Sequence, residues 1–232
     1  MARRNRKATS GMRLRLGASV LSAARGVDTR LVKDRLGRFE RVHRRYVDAQ
    51  RKVDAAESQL RAAQARLEES EALQDEAVEM VARTLVMDGE PRANPFEAVG
   101  TPAPSVITRL PSAEEVQAVH ALAAAVQRST KVSKATFQAA QAADKAAQVV
   151  EQALAAVAKQ QDGVRDARRL REAVGQGWEA ALAALKRVAQ AAAKEGAPDL
   201  YATLFPPVVR PTTKSKAPEE QAPAVTATPT AA

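Results

Sequence analysis

Residues 32–67 read VKDRLGRFERVHRRYVDAQRKVDAAESQLRAAQARL, and their large apolar side chains return every seven positions. Val32, Phe39, Tyr46, Val53, Leu60 and Leu67 form one line, which Gln74 and Val81 extend. Three residues beyond each lie Arg35, Val42, Ala49, Ala56, Ala63, Ser70, Ala77 and Thr84. A seven-residue repeat with large residues at one position and mostly small ones at the next marks a helix packed on another helix. It predicts a first long helix over 28–88. A softer stripe through Val150, Leu154, Val157, Val164, Trp178 and Leu185 predicts a second over 113–195.

Proline marks the limits of both. All twelve prolines fall within residues 91–111 and 198–229, and segments 1–90 and 112–197 have none. A proline inside a helix costs about 3 kcal/mol, so these gaps are where helices fit. Gly89 and Gly196 each precede a proline by two residues, the usual arrangement at a helix C-terminus. Ser112 and Glu115 have the spacing of a capping box for the second helix.

The expected fold is all-α: a long antiparallel two-helix coiled-coil hairpin with a basic N-terminal extension and a disordered C-terminal tail. Its segments are a basic 1–27, a helix over 28–88, a Pro-rich connector over 89–112, a helix over 113–195, an apolar clasp over 196–205 and a tail over 206–232. The same stripes also fit an ordinary multi-helix bundle. Facing residue numbers in the hairpin sum to about 201, which sets Gly26 opposite Gly175 and Gly37 opposite Gly163. The longer second helix needs a partner at its far end, and residues 12–26 can supply it. The apolar residues Phe96, Val99 and Ile107 suggest that the connector folds back on the tip.

Composition narrows the chemistry. Only seven of 232 residues are aromatic and many are alanine, which suits narrow helix contacts better than a broad core. There is no cysteine, so disulfides, thiolate metal sites and cysteine nucleophiles are excluded. No apolar run reaches the ~18–20 residues of a membrane span, and the expected location is the cytoplasm. No phosphate loop, dinucleotide fingerprint or metal-spaced ligand set is present. His43 and His120 are expected at opposite ends, on helix surfaces or seam edges. Glu68, Glu69, Glu71, Asp75, Glu76 and Glu79 are expected to form a solvated acidic face. The chain is therefore expected to be no enzyme, with no cofactor, metal or small-molecule substrate.

Charge is distributed unevenly. Residues 1–52 carry sixteen Lys or Arg against four acids, whereas residues 53–90 carry three against ten. The antiparallel return brings Arg168 and Arg169 to the basic end. Such a pole attracts polyanions. The candidate residues are Arg3, Arg4, Arg6, Lys7, Arg13, Arg15, Arg41, Arg44, Arg45, Arg168 and Arg169. Leu200, Tyr201, Leu204 and Phe205 form an apolar segment that either clasps the hairpin base or docks a partner. The leading expectation is a structural or adaptor protein that binds another protein or itself, within a larger assembly. The alternative is non-specific nucleic-acid binding by the basic end. Met12, Leu14, Leu16, Val20 and Leu21 among arginines leave two more readings open, an anionic membrane surface and an organellar transit segment.

Overall fold

The computed structural model describes residues 9–206, and all regular structure among them is helical. The order is α1 (Ser10–Ala23), α2 (Lys33–Met87), α3 (Pro104–Ile107), α4 (Ser112–Arg128), α5 (Lys134–Lys194) and α6 (Leu200–Leu204). At 1.5 Å per residue, α2 is about 82 Å long and α5 about 92 Å.

The two long helices pack against each other along the seven-residue line. Val32, Phe39, Tyr46, Val53, Gln74 and Val81 are buried, and Leu60 and Leu67 are half-buried. On α5 the matching line is Thr136, Ala143, Val150, Val157, Val164, Trp178, Leu185 and Ala192, all buried. Contacts between the helices pair Asp88 with Thr136, Glu57 with Arg168, Gln50 with Arg171 and His43 with Trp178. Numbers rise in one helix as they fall in the other, and facing numbers sum to about 222.

This register corrects the expected sum of about 201. The cause is a break in what the sequence presents as one helix over 113–195. Residues 129–133 turn the chain between α4 and α5. Ser133 Oγ accepts from the Thr136 backbone N–H, and the Asp88 carboxylate accepts from both Ser133 N–H and Thr136 Oγ–H. Neither proline nor glycine marks the turn. With α4 folded away as a third helix, α5 slides about twenty residues along α2. Gly175 consequently meets Arg13 and Tyr46, whereas nothing lies against Gly26 or Gly163.

Two further expectations change. The first helix begins at Lys33, after a 3₁₀ turn over Arg30–Val32 where Asp28 accepts from the Arg30 backbone and side chain. Ser112 does not cap α4; its hydroxyl is turned to Glu71, and Glu115 is buried. Gly89 and Gly196 both take the left-handed conformation, with φ of 104° and 107°.

The interior consists of two apolar clusters. At the tip, Val78, Val81 and Leu85 of α2 meet Val116, Val119, Leu122 and Val126 of α4 and the alanines of α5, with Phe96 and Ile107 of the connector buried on top. At the base, Phe39 and Tyr46 meet Trp178, Leu185, Val20 of α1 and Leu200 and Leu204 of α6. Among the described residues, no helix is long and apolar enough to cross a membrane.

Candidate functional site

The base is held by a buried cation. Arg13 sits on α1 and is 2% exposed. Its guanidinium donates to Glu179 at 2.6 Å, to Glu172 at 3.3 Å and to the Tyr46 hydroxyl at 3.5 Å. Burial opposes its charge, but the bonds to Glu172, Tyr46 and Glu179 and the Glu172 charge outweigh that and raise its pKa. Arg13 thus ties α1 to α5 and is withdrawn from the expected polyanion surface. Glycine makes this approach possible: a Cβ on Gly175 would lie 2.6 Å from the guanidinium, and one on Gly17 would lie 2.2 Å from the His43 ring.

His43 is a core residue, contrary to the expectation of a surface or seam-edge position. Its ring stacks near Phe39, and its Nδ1 accepts from Trp178 Nε1 at 3.1 Å. Burial lowers its pKa, so the ring is neutral and Nε2 carries the proton. His120, at the other end, is bonded to Asp144 of α5 at 2.7 Å.

Part of the expected solvated acidic face is also drawn inward. Glu115 of α4 is 6% exposed and faces Glu71, Gln74 and Asp75 of α2. The Gln74 amide is fully buried with no well-formed hydrogen bond, as are Glu115 Oε1 and Asp75 Oδ1. Burial pushes the Glu115 pKa up to about 7; Gln74 opposes the shift and the Asp75 and Glu71 carboxylates add to it. Among the described residues no group of three or more His, Cys, Asp or Glu is arranged to hold a metal.

The outer surface of the base carries the remaining candidates. Arg3, Arg4, Arg6 and Lys7 lie outside the described residues. Arg15, Arg41 and Arg45 are exposed, with no carboxylate partner among the described residues. Arg44, Arg168 and Arg169 are exposed but paired, with Glu40, Glu57 and Asp166. Arg38 and Lys52 belong to the basic end read from the sequence but are not singled out there as candidates; they are exposed and likewise lack a carboxylate. Their signal was legible: positions 38, 45 and 52 each stand one residue before a seam residue. A one-residue step turns 100° around a helix, so they share one flank.

Leu200 and Leu204 are buried in the base cluster, and Tyr201 and Phe205 are half-buried. The two rings lie 5.3 Å apart, and the Lys186 ammonium sits 5.2 Å above Phe205. Asn94-Pro95-Phe96 forms a turn in which Pro95 and Phe96 are buried. The tip also carries a groove of about 530 Å³ between the end of α2 and the connector, bordered by Arg83, Met87, Arg92 and Pro95.

Comparison with protein-family models, with curated proteins and with solved structures gives no match.

Proposed function

We propose that the chain is a non-enzymatic structural or adaptor protein, a coiled-coil helical hairpin that works by binding another protein within a larger assembly. One observation carries this reading. Leu73, Met80, Met87, Val149 and Leu170 on the two long helices are each about half exposed or more, with Met87 at 84%. Large apolar side chains gathered on an open surface favour association. The convergent polar groups support the same reading, because each ties one helix to another: Arg13 holds α1, Trp178 and His43 join the long helices, and His120 with Asp144 holds α4.

The test is to purify the intact chain from its own cells and identify what accompanies it before and after a high-salt wash. A stoichiometric protein that survives the wash, and is lost from a Leu73→Glu, Met80→Glu variant, is the expected result. A bound cofactor or metal with turnover of a small molecule overturns the reading.

A second reading is non-specific nucleic-acid binding by the base. It is favoured by Arg38, Arg41, Arg45 and Lys52, which form an exposed stripe about 21 Å long with no carboxylate partners among the described residues. Each phosphate contact steepens the dependence of log affinity on log salt by about 0.9. Changing all four to Gln flattens that slope by roughly 3–4 units on this reading; no binding of duplex DNA or RNA at low salt removes it. The membrane-surface reading has less support, since Val20 is buried and Leu14, Leu16 and Leu21 are half-buried.

A further inference from the structure

The long helix pair has two faces, and the small helices occupy only one. On α2, residues four beyond the seam line, such as His43 and Glu71, turn about 40° to one side. On α5, residues one beyond its seam line, such as Asp144, Glu172 and Glu179, turn to that same side. There α1 touches His43, Glu172 and Glu179, and α4 touches Glu71 and Asp144.

Among the described residues the opposite face has no such cover. It is bordered on α2 by the residues one before each seam residue: Arg38, Arg45 and Lys52 toward the base, Gln59 and Arg66 at mid-length, then Leu73, Met80 and Met87 toward the tip. All eight are exposed. On α5 the equivalent border is Ala142, Val149, Ala156, Gly163, Leu170 and Gly177, also exposed and without a single charge. Between the borders lies a shallow groove of about 570 Å³, floored by residues such as Ala63, Ser70 and Ala153.

We propose that this open face binds a second copy of the chain in a parallel two-fold arrangement, with α2 of each copy lying on α5 of the other. The inference rests on the reading of the chain as a protein that works by association, and it names the partner. Three features select a second copy.

The first is size. From residue 38 to residue 87 the face is about 74 Å long, and two helices side by side are about 20 Å wide, which gives roughly 1,500 Å². A standard interface needs about 800 Å² from each partner. The second is shape. A two-fold axis along the helices sets the large Met80 over the small Ala142 and the apolar Leu73 beside the apolar Val149, twice. The third is charge. In this arrangement Arg45 and Lys52 of one copy meet Gly177 and Leu170 of the other, neither of which repels a cation. An antiparallel arrangement stacks α2 on α2 instead, and so separates Met80 from Ala142.

The experiment is sedimentation velocity on the intact chain, with Met80→Glu and Ala142→Glu as variants. Both positions are exposed, so helicity should stay at the wild-type value. Melting temperature should match that of wild type diluted below its dimer dissociation constant, since loss of the dimer itself lowers it. The expected result is twice the chain mass for wild type, with each variant raising the dimer dissociation constant at least about tenfold. Combining Met80→Glu with Ala142→Lys should restore the dimer at low salt, because each new carboxylate then meets a new ammonium across the interface. A wild-type monomer at high concentration overturns the proposal, as does a dimer that both single variants leave intact. A monomer that still retains a stoichiometric protein partner removes the second copy alone. A monomer that retains none removes the adaptor reading with it.

Discussion

Gly17 is conspicuous at the residue scale because its missing side chain is where the His43 ring sits. Gly17→Ala would force the ring from Trp178 or lift α1 from the base. Overpacking of this kind costs about 1–3 kcal/mol. Thermal melts should show that loss, and a shift in the near-ultraviolet signal of Trp178 should accompany it. Glu115 offers a second test through pH. Its folded pKa of about 7 lies above the ordinary 4.5, so the folded chain binds its proton more tightly than the unfolded chain does. Its contribution is fully present below about 4.5 and is lost as pH rises through 7. Glu115→Gln should therefore stabilise the protein at pH 8, by on the order of 2 kcal/mol, and change it little at pH 4. His43 has the opposite sign. Its depressed pKa favours folding above the ordinary value of 6.5, and that contribution is lost as pH falls. In the Glu115→Gln background this limb should remain in a plot of melting temperature against pH, above the more acidic range in which Asp88, its pKa lowered by the bonds from Ser133 and Thr136, loses its own contribution. None of these roles was legible in the sequence, where a glycine, a histidine and a glutamate on helical repeats look like surface residues. The partners that bury them come from helices more than twenty-five residues away.

The helices themselves were partly legible. The seven-residue line placed the buried side of α2 because burial of large side chains every second turn leaves a strong periodic mark. The break between α4 and α5 left a faint one, since Ser129, Thr130, Lys131, Val132 and Ser133 contain no proline or glycine and only Ser133, the N-cap of α5, marks it. What ends α4 is tertiary: Asp88, at the end of α2, takes hydrogen bonds from Ser133 and Thr136 that fix the start of α5. α4 then fills the tip through Val116, Val119, Leu122 and Val126. Leu122 is fully buried there, and Leu122→Ala should cost about 2–5 kcal/mol. Because the tip and base clusters are separate, hydrogen exchange should accelerate in α4 and the first turns of α5 while α1 and residues 39–46 stay protected. Uniform acceleration along the whole chain would show instead that the two clusters unfold as one.

Across the whole molecule, the charge asymmetry was legible from composition, but its placement was not. Arg13 faces inward, Arg44, Arg168 and Arg169 are paired with acids, and Arg38, Arg45 and Lys52, which have no carboxylate partner among the described residues, run along one flank of α2. The two-faced character of the helix pair depends on the register, which the faintly marked turn conceals. The chain has no cysteine, so paired nitroxide labels can be placed through cysteines introduced at Arg61 and Gln161, both exposed. Their electron–electron distance tests the register directly. With facing numbers summing to about 222 the labels sit at the same level on helices about 10 Å apart, and the label arms bring the distance to roughly 15–25 Å. A sum of about 201 displaces one label along the rod by twenty-one residues, or about 32 Å. A distance near 20 Å is the result predicted here, and one beyond about 30 Å would contradict the third helix, the open face and the association built on them.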